Sequence, residues 1–265
     1  MHYLVDYHVH TNNSFDSSVK MLDYCELATQ IGLREIVFTE HFDLNPVDKG
    51  LGYFNYDEYS QEIEECREKY EGRLIIKKGL ELGEPHLYIE EHTNYLQEKD
   101  FDFLLGSVHF IGEEVLHRDY ASDEDEREVY LTYFTQVFET AKHGTYQTLG
   151  HLDVLKRYVP NWFRKFVASD YEEVIREILK VVIQRDKGIE INTSGFRQGL
   201  EEPLPSVEII RWYRELGGEI ITIGSDSHHL RHLGLGLKHG IAILKEIGFK
   251  GIYTFTQGKP QFTGF

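Results

Sequence analysis

Short runs of β-branched and aromatic residues alternate along this chain with longer segments whose apolar positions recur every three or four residues. The first pattern belongs to buried strands and the second to amphipathic helices. Seven runs predict strands: residues 3–10 (YLVDYHVH), 35–41 (EIVFTEH), 74–82 (LIIKKGLEL), 101–110 (FDFLLGSVHF), 146–154 (YQTLGHLDV), 189–194 (IEINTS) and 219–228 (EIITIGSDSH). Helical periodicity marks VKMLDYCELATQIG, YDEYSQEIEECREKY, REVYLTYFTQVFETAKHG, YEEVIREILKVVIQRDKG, SVEIIRWYRELGG and LKHGIAILKEIGF, several of them stopped by glycine. Strands and helices alternating without a break in composition predict a single α/β domain over 1–265, a closed or nearly closed barrel one unit short of the eightfold kind. A doubly wound open sheet is the alternative, weakened in its dinucleotide-binding form by the lack of GxGxxG after the first strand. Residues 159–170 (VPNWFRKFVASD) read as a long loop able to carry a lid.

Unusual side chains gather at one end of these strands. His8 and His10 close the first, His41 the second, Glu81 the third, His109 the fourth, His151 the fifth, and Asp226 and His228 the seventh. Alternate residues of a strand share a face, so His8 and His10 point one way with Val9 opposed, and Asp226 and His228 repeat that spacing. The C-terminal strand ends are where such a barrel keeps its active site. One histidine there is usually a hydrogen-bonded bystander, as is expected of His2, His86, His92, His117, His143, His229, His232 and His239. Six of the fourteen histidines sharing this position with two carboxylates point instead to bound metal. Imidazoles and carboxylates without thiolates suit zinc, manganese or iron. So many ligands exceed what one ion takes, so two or three ions close together are expected, with Glu81 the favoured bridge. Asp16 is either a ninth ligand or a helix cap beside its serines.

Charge narrows the partners. The chain carries 45 acidic against 28 basic residues, a net charge of −17, which argues against a surface that tracks nucleic acid. A small anion remains a possible substrate, because a metal site reverses the local field. Cys25 and Cys66 lie in helical segments, form no CxxC and are expected to be core filling in a reducing cytoplasm. No leader-like segment and no apolar run near the roughly 18 residues of a membrane span is evident, so no membrane partner is expected.

The segments HVHTNNSFDS, FTEHFD, GLELG, GSVHF, GHLD and GSDSHH, in this order from the start of the chain to residue 229, resemble the motifs of the polymerase-and-histidinol-phosphatase (PHP) family of metal-dependent phosphoesterases. The resemblance implies a distorted seven-stranded (β/α)7 barrel, TIM-like, usually holding three metal ions. One ion would take His8, His10, Glu81 and Asp226, a second Glu81, His109 and His151, and a third Asp16, His41 and His228. Some family members have a histidine where Asp16 stands, which leaves the identity of the third metal open. INTSGFR and GHLDVLKRY look most like the histidinol-phosphate phosphatase branch, which implies hydrolysis of L-histidinol phosphate in histidine biosynthesis.

In the expected reaction a hydroxide bridging two ions attacks phosphorus, with Glu81 and Asp226 in catalytic positions. Arg197 is expected to take two phosphate oxygens at the metal mouth, unless it pairs with Glu201 or Glu202 at the surface. Arg157, Asn192 and Ser194 are further substrate-binding candidates, and His229 is a candidate proton donor to the leaving group. The cationic end of the substrate would meet carboxylates, with residues 110–126 (FIGEEVLHRDYASDEDE) the suspected loop. The rival reading keeps the site but changes the substrate to a nucleotide or phosphotyrosine. The basic and aromatic residues 156–166 (KRYVPNWFRKF) keep a nucleotide open, while the absence of a basic stripe disfavours a polynucleotide. An amidohydrolase barrel also begins with HxH but would supply a bridging lysine on the fourth strand, where FDFLLGSVHF has none. A degenerate, non-enzymatic copy should have lost ligands, and all nine are present.

Overall fold

The computed structural model describes residues 3–117, 120, 125–160 and 165–265. His2, most of the acidic run after residue 117, and the centre of the 159–170 segment therefore lie outside the described residues. Seven parallel strands follow one another around a nearly closed barrel: β1 (Val5–Val9), β2 (Glu35–Phe42), β3 (Ile75–Gly83), β4 (Phe103–Ser107), β5 (Thr148–Leu149), β6 (Gly188–Asn192) and β7 (Ile221–Gly224). Each is hydrogen-bonded to the next, and β1, β4, β5, β6 and β7 are buried along their whole length, as a sheet covered by crossover helices must be. All seven predicted strands are present. β5 is cut to two residues because the chain turns into a 3-10 segment, Val154–Arg157, soon after Gly150. At Gly150 a Cβ would lie 2.5 Å from Ser107 Oγ, so only glycine lets β5 approach β4 this closely.

The crossovers are α1 (Met21–Ile31), α2 (Tyr56–Lys69), α3 (Ile89–Leu96), α4 (Glu126–His143), α5 (Glu172–Gln184), α6 (Ser194–Arg197), α7 (Val207–Glu215) and α8 (Leu237–Ile247). α3 and the single turn α6 go beyond the predicted helices, since both are too short to display apolar periodicity. Asn55 and Asp125 cap α2 and α4 by accepting two backbone N–H groups each. A C-terminal hairpin, β8 (Gly251–Thr256) with β9 (Lys259–Gly264), was likewise not predicted. It brings Phe255 to 5.2 Å from the Phe103 ring, and the Phe255 N–H donates to the Tyr7 hydroxyl at 2.8 Å.

The seam of the barrel lies between β7 and β1. There the His10 N–H donates to the Ser227 carbonyl at 2.9 Å and the Ser227 N–H to the His8 carbonyl at 3.2 Å, a single parallel bridge in place of a ladder. On its other side β1 slips register against β2 between Asp6 and Val9, and the Thr39 hydroxyl accepts the Val9 N–H at 3.2 Å. This bulge lets the consecutive residues Tyr7 and His8 both reach across the barrel. Tyr7 meets Phe103 of β4 edge-on at 5.1 Å, while His8 turns to carboxylates on β3 and β6.

Among the described residues, one histidine is buried with neither ring nitrogen hydrogen-bonded. His92 on α3 is wholly buried beside Phe42 and neither ring nitrogen is hydrogen-bonded. Burial pulls its pKa down from 6.5 to about 4. The unfolded chain therefore binds this proton more readily, and stability present above pH 6.5 is lost as pH falls toward 4. The expected size is about 3 kcal/mol. In urea titrations at pH 7 and pH 4, His92→Phe should lose less stability on acidification than the wild type by that order, and equal losses would contradict the assignment.

Candidate metal centre

Glu81, near the end of β3, is the middle of the site. Its Oε1 accepts the Ser107 hydroxyl at 2.6 Å and lies 2.9 Å from His151 Nε2 and 3.3 Å from His109 Nε2. Its Oε2 lies 3.2 Å from His8 Nε2, 3.4 Å from His10 Nε2 and 3.3 Å from His41 Nδ1. The two carboxylate oxygens thus face different sets of imidazoles, the disposition a bridging ligand requires.

Asp226 faces the β1 pair, its Oδ1 3.8 Å from His8 Nε2 and 3.9 Å from His10 Nε2. Asp16 closes the outer side with Oδ2 at 3.1 Å from His228 Nε2 and 3.4 Å from His41 Nε2, so it joins the cluster and is not a helix cap. The structure brings all nine predicted ligands together, and the remaining described histidines stand apart from them. Asp43 joins them unpredicted. It is buried, with its two oxygens 3.7 and 3.8 Å from the Nδ1 atoms of His41 and His109. A Cβ at Gly83 would lie 2.3 Å from Asp43 Oδ1, so that glycine makes room for the carboxylate.

Behind the ligands stands a layer of carboxylates and hydroxyls. Glu190 on β6 takes the His8 Nδ1–H at 2.6 Å with one oxygen and the His151 backbone N–H at 2.9 Å with the other. Glu40 accepts the Ser14 hydroxyl at 2.6 Å, and Ser14 in turn stands 3.2 Å from His10 Nδ1. Glu84 accepts the backbone N–H groups of His109 and Phe110 at 2.5 and 3.0 Å, and burial pushes its carboxyl up to about 7. Glu190 and Ser14 thereby engage one ring nitrogen of His8 and His10 and leave the other aimed at the candidate metal position, while Glu84 fixes the backbone at His109. Glu190, which sequence reasoning missed, alternates with isoleucines in IEIN, and this period of two on a buried strand is the one signal that could have found it.

The other predicted residues divide. Arg157 lines the cavity over the cluster, its Nη1 3.8 Å from Asp226 Oδ2. Arg197 does not line it. Its guanidinium donates to the carbonyls of Ser225 and Asp226 at 2.5 and 2.6 Å, and so is not paired with Glu201 or Glu202. Asp226 has φ of 54°, a strained value for a non-glycine residue, and Arg197 pins that backbone. Asn192 is buried and donates toward Glu190 and Asp226, both at 3.3 Å, while the Ser194 hydroxyl is buried without a partner. His229 is exposed and outside the cavity, 5.3 Å from the His232 ring. Within the basic and aromatic segment, Lys156 is consumed by a buried pair with Asp153 at 2.8 Å. Residues 161–164 of that segment fall outside the described residues.

The donor set fits divalent metal. His10 Nε2 and Asp43 Oδ1 are buried without a hydrogen-bond partner, an expense a bound cation removes. Four triads, His8–His10–Asp226, His8–Glu81–His151, His10–His41–His228 and His41–Asp43–His109, each bring three ligand atoms within 4.8 Å of one another. Burial, with His228, His41 and His8 alongside, holds the His10 pKa well below its ordinary value, which keeps the imidazole in its ligating form. Although burial opposes it, His8 and the other imidazoles hold Glu81 ionised, and His8 and His228 do the same for Asp226.

The family model described as PHP domain matches residues 6–194. The chain belongs to the PHP domain family. A histidinol-phosphatase of Lactococcus lactis subsp. lactis (strain IL1403) is 32% identical over 95% of this chain and 94% of its own. A histidinol-phosphatase of Bacillus subtilis (strain 168) is 23% identical over 73% of this chain and 81% of its own. The crystal structure of histidinol phosphate phosphatase from the same Lactococcus strain, complexed with zinc, L-histidinol and phosphate, matches this PHP barrel with a TM-score of 0.91. It is 28% identical, covering 98% of this chain and 100% of that one.

Because Glu190 orients His8 and His151 together, Glu190→Gln should weaken metal retention about 10- to 100-fold. Elemental analysis after graded chelator dialysis measures this, and retention equal to the wild type would show that Glu190 does not support the ligands.

Proposed function

We propose that this chain is a metal-dependent histidinol-phosphatase that hydrolyses L-histidinol phosphate to L-histidinol and phosphate. The observation that carries the reading is the match, over nearly the whole chain, to a phosphatase crystallised with zinc and both products. It is supported by a cluster in which all nine predicted ligands meet around Glu81.

Three ions are proposed, zinc by analogy with that relative, although imidazole and carboxylate donors also accept manganese or iron. His8, His10, Glu81 and Asp226 would hold the first, Glu81, His109 and His151 the second, and Asp16, His41 and His228 the third. Bound divalent ions supply a water-derived nucleophile near neutral pH and neutralise phosphoryl charge. The side chains of the protein do the rest. Arg157 offers its guanidinium to phosphate oxygens at the cavity wall as a bidentate donor. Arg197 acts from behind, holding the strained Asp226 backbone so that the carboxylate faces His8 and His10. Phe110, Leu116 and Val154 give the cavity an apolar side suited to the imidazole ring of the substrate.

Phosphate release from L-histidinol phosphate, a nucleoside monophosphate and phosphotyrosine, measured in parallel with metals counted on the same sample, tests the reading. A strong preference for histidinol phosphate is expected, and better turnover of either rival would overturn the substrate assignment. His10→Ala and Asp226→Ala should abolish turnover and lower metal content while the far-ultraviolet circular dichroism stays unchanged. Full activity with normal metal content in either variant would contradict the ligand assignment.

A further inference from the structure

The substrate proposed above is an anion at one end only. Its ammonium group sits on the carbon next to the phosphate-bearing one, so the protein group that meets it must stand at the rim of the phosphate site and not within it. Five carboxylates line the cavity of about 150 Å³ over the cluster: Asp16, Asp43, Asp48, Glu81 and Asp226. Four of them have a histidine nitrogen within 4 Å and belong to the metal cluster or its support.

Asp48 is the exception. It lies in the loop after β2, half-buried, and among the described residues no Lys, Arg or His nitrogen comes within 4 Å of it. Its Oδ1 accepts the Gly50 N–H at 2.5 Å, which holds the carboxylate and leaves Oδ2 uncommitted. Gly50 is itself pressed against the site, since a Cβ there would lie 2.8 Å from the Phe15 ring, 3.0 Å from Asp43 Oδ2 and 3.1 Å from Asp48 Oδ1. The turn therefore seats Asp48 next to the supporting layer of His41 and His109 without making it part of that layer.

We propose that Asp48 is a specificity-determining residue whose free carboxylate oxygen accepts an N–H···O bond from the ammonium group of the substrate. This rests on the histidinol-phosphatase reading and deepens it. The phosphate end is served by the metal ligands and Arg157, the imidazole by the apolar side, and the ammonium by Asp48. A phosphate ester without the amine would leave that carboxylate facing nothing.

The test compares holoenzyme of wild type and Asp48→Asn on L-histidinol phosphate and on its desamino analogue, 3-(imidazol-4-yl)propyl phosphate, with metals counted in both proteins. In Asp48→Asn, KM for histidinol phosphate should rise about tenfold or more, the size of one charge-assisted hydrogen bond. KM for the desamino ester, kcat for both esters and metal content should hold. Equal changes on the two esters, no change on either, or a loss of metal would each overturn the proposal. A wild-type enzyme inactive on histidinol phosphate yet active on other phosphate esters would instead overturn the functional reading.

Discussion

Five imidazole nitrogens stand within 3.4 Å of one buried carboxylate, that of Glu81, and the rest of the molecule is arranged to permit it. Removing a carboxylate from water is costly unless cations or hydrogen-bond donors replace the lost hydration. Here the replacements come from β1, β2 and the segments following β4 and β5, so the strand ends must converge on a single point. The bulge in β1, the left-handed backbone at Asp226 and the room left by Gly83 are local departures from regular geometry that such convergence demands. Each sits beside a ligand, and each is held by a named contact, from Thr39, Arg197 and Asp43 respectively.

A second layer of acid explains part of the net charge. Glu40, Glu84, Glu190 and Asp43 are all buried within reach of the ligand histidines or their backbone, and none faces bulk solvent. An excess of carboxylates here is not a surface property to be read as repulsion of anions. It is the counter-charge for cations held in the interior, which is how so acidic a chain accommodates a phosphate ester.

Much of this is legible in the amino-acid sequence. Strand periodicity located all seven barrel strands, and polar residues that interrupted their apolar runs are the side chains that gather around Glu81. What escaped was set by tertiary contact. β5 read as nine residues because the apolar pattern of YQTLGHLDV continues, yet only Thr148 and Leu149 pair, the remainder being drawn into a turn behind His151. Arg197 looked like a phosphate ligand because sequence gives a side chain's charge but not its direction, and here it points back to two carbonyls. Asp43 and Glu190 were missed for a related reason: a carboxylate that touches a ligand and not the metal has no spacing rule of its own. The C-terminal hairpin had no periodic partner to announce it, since its strands pair with each other and only Ile252 and Phe255 among its apolar side chains become fully buried.

The seam between β7 and β1 has a further consequence. The two strands are joined through Ser227, His8 and His10, so the residues that close the barrel are the candidate ligands or their immediate neighbours. Closing the wall and gathering the candidate ligands are one event, and it joins residues 8 and 10 to residue 227. During synthesis His8 and His10 cannot meet this closing partner until residue 227 has emerged.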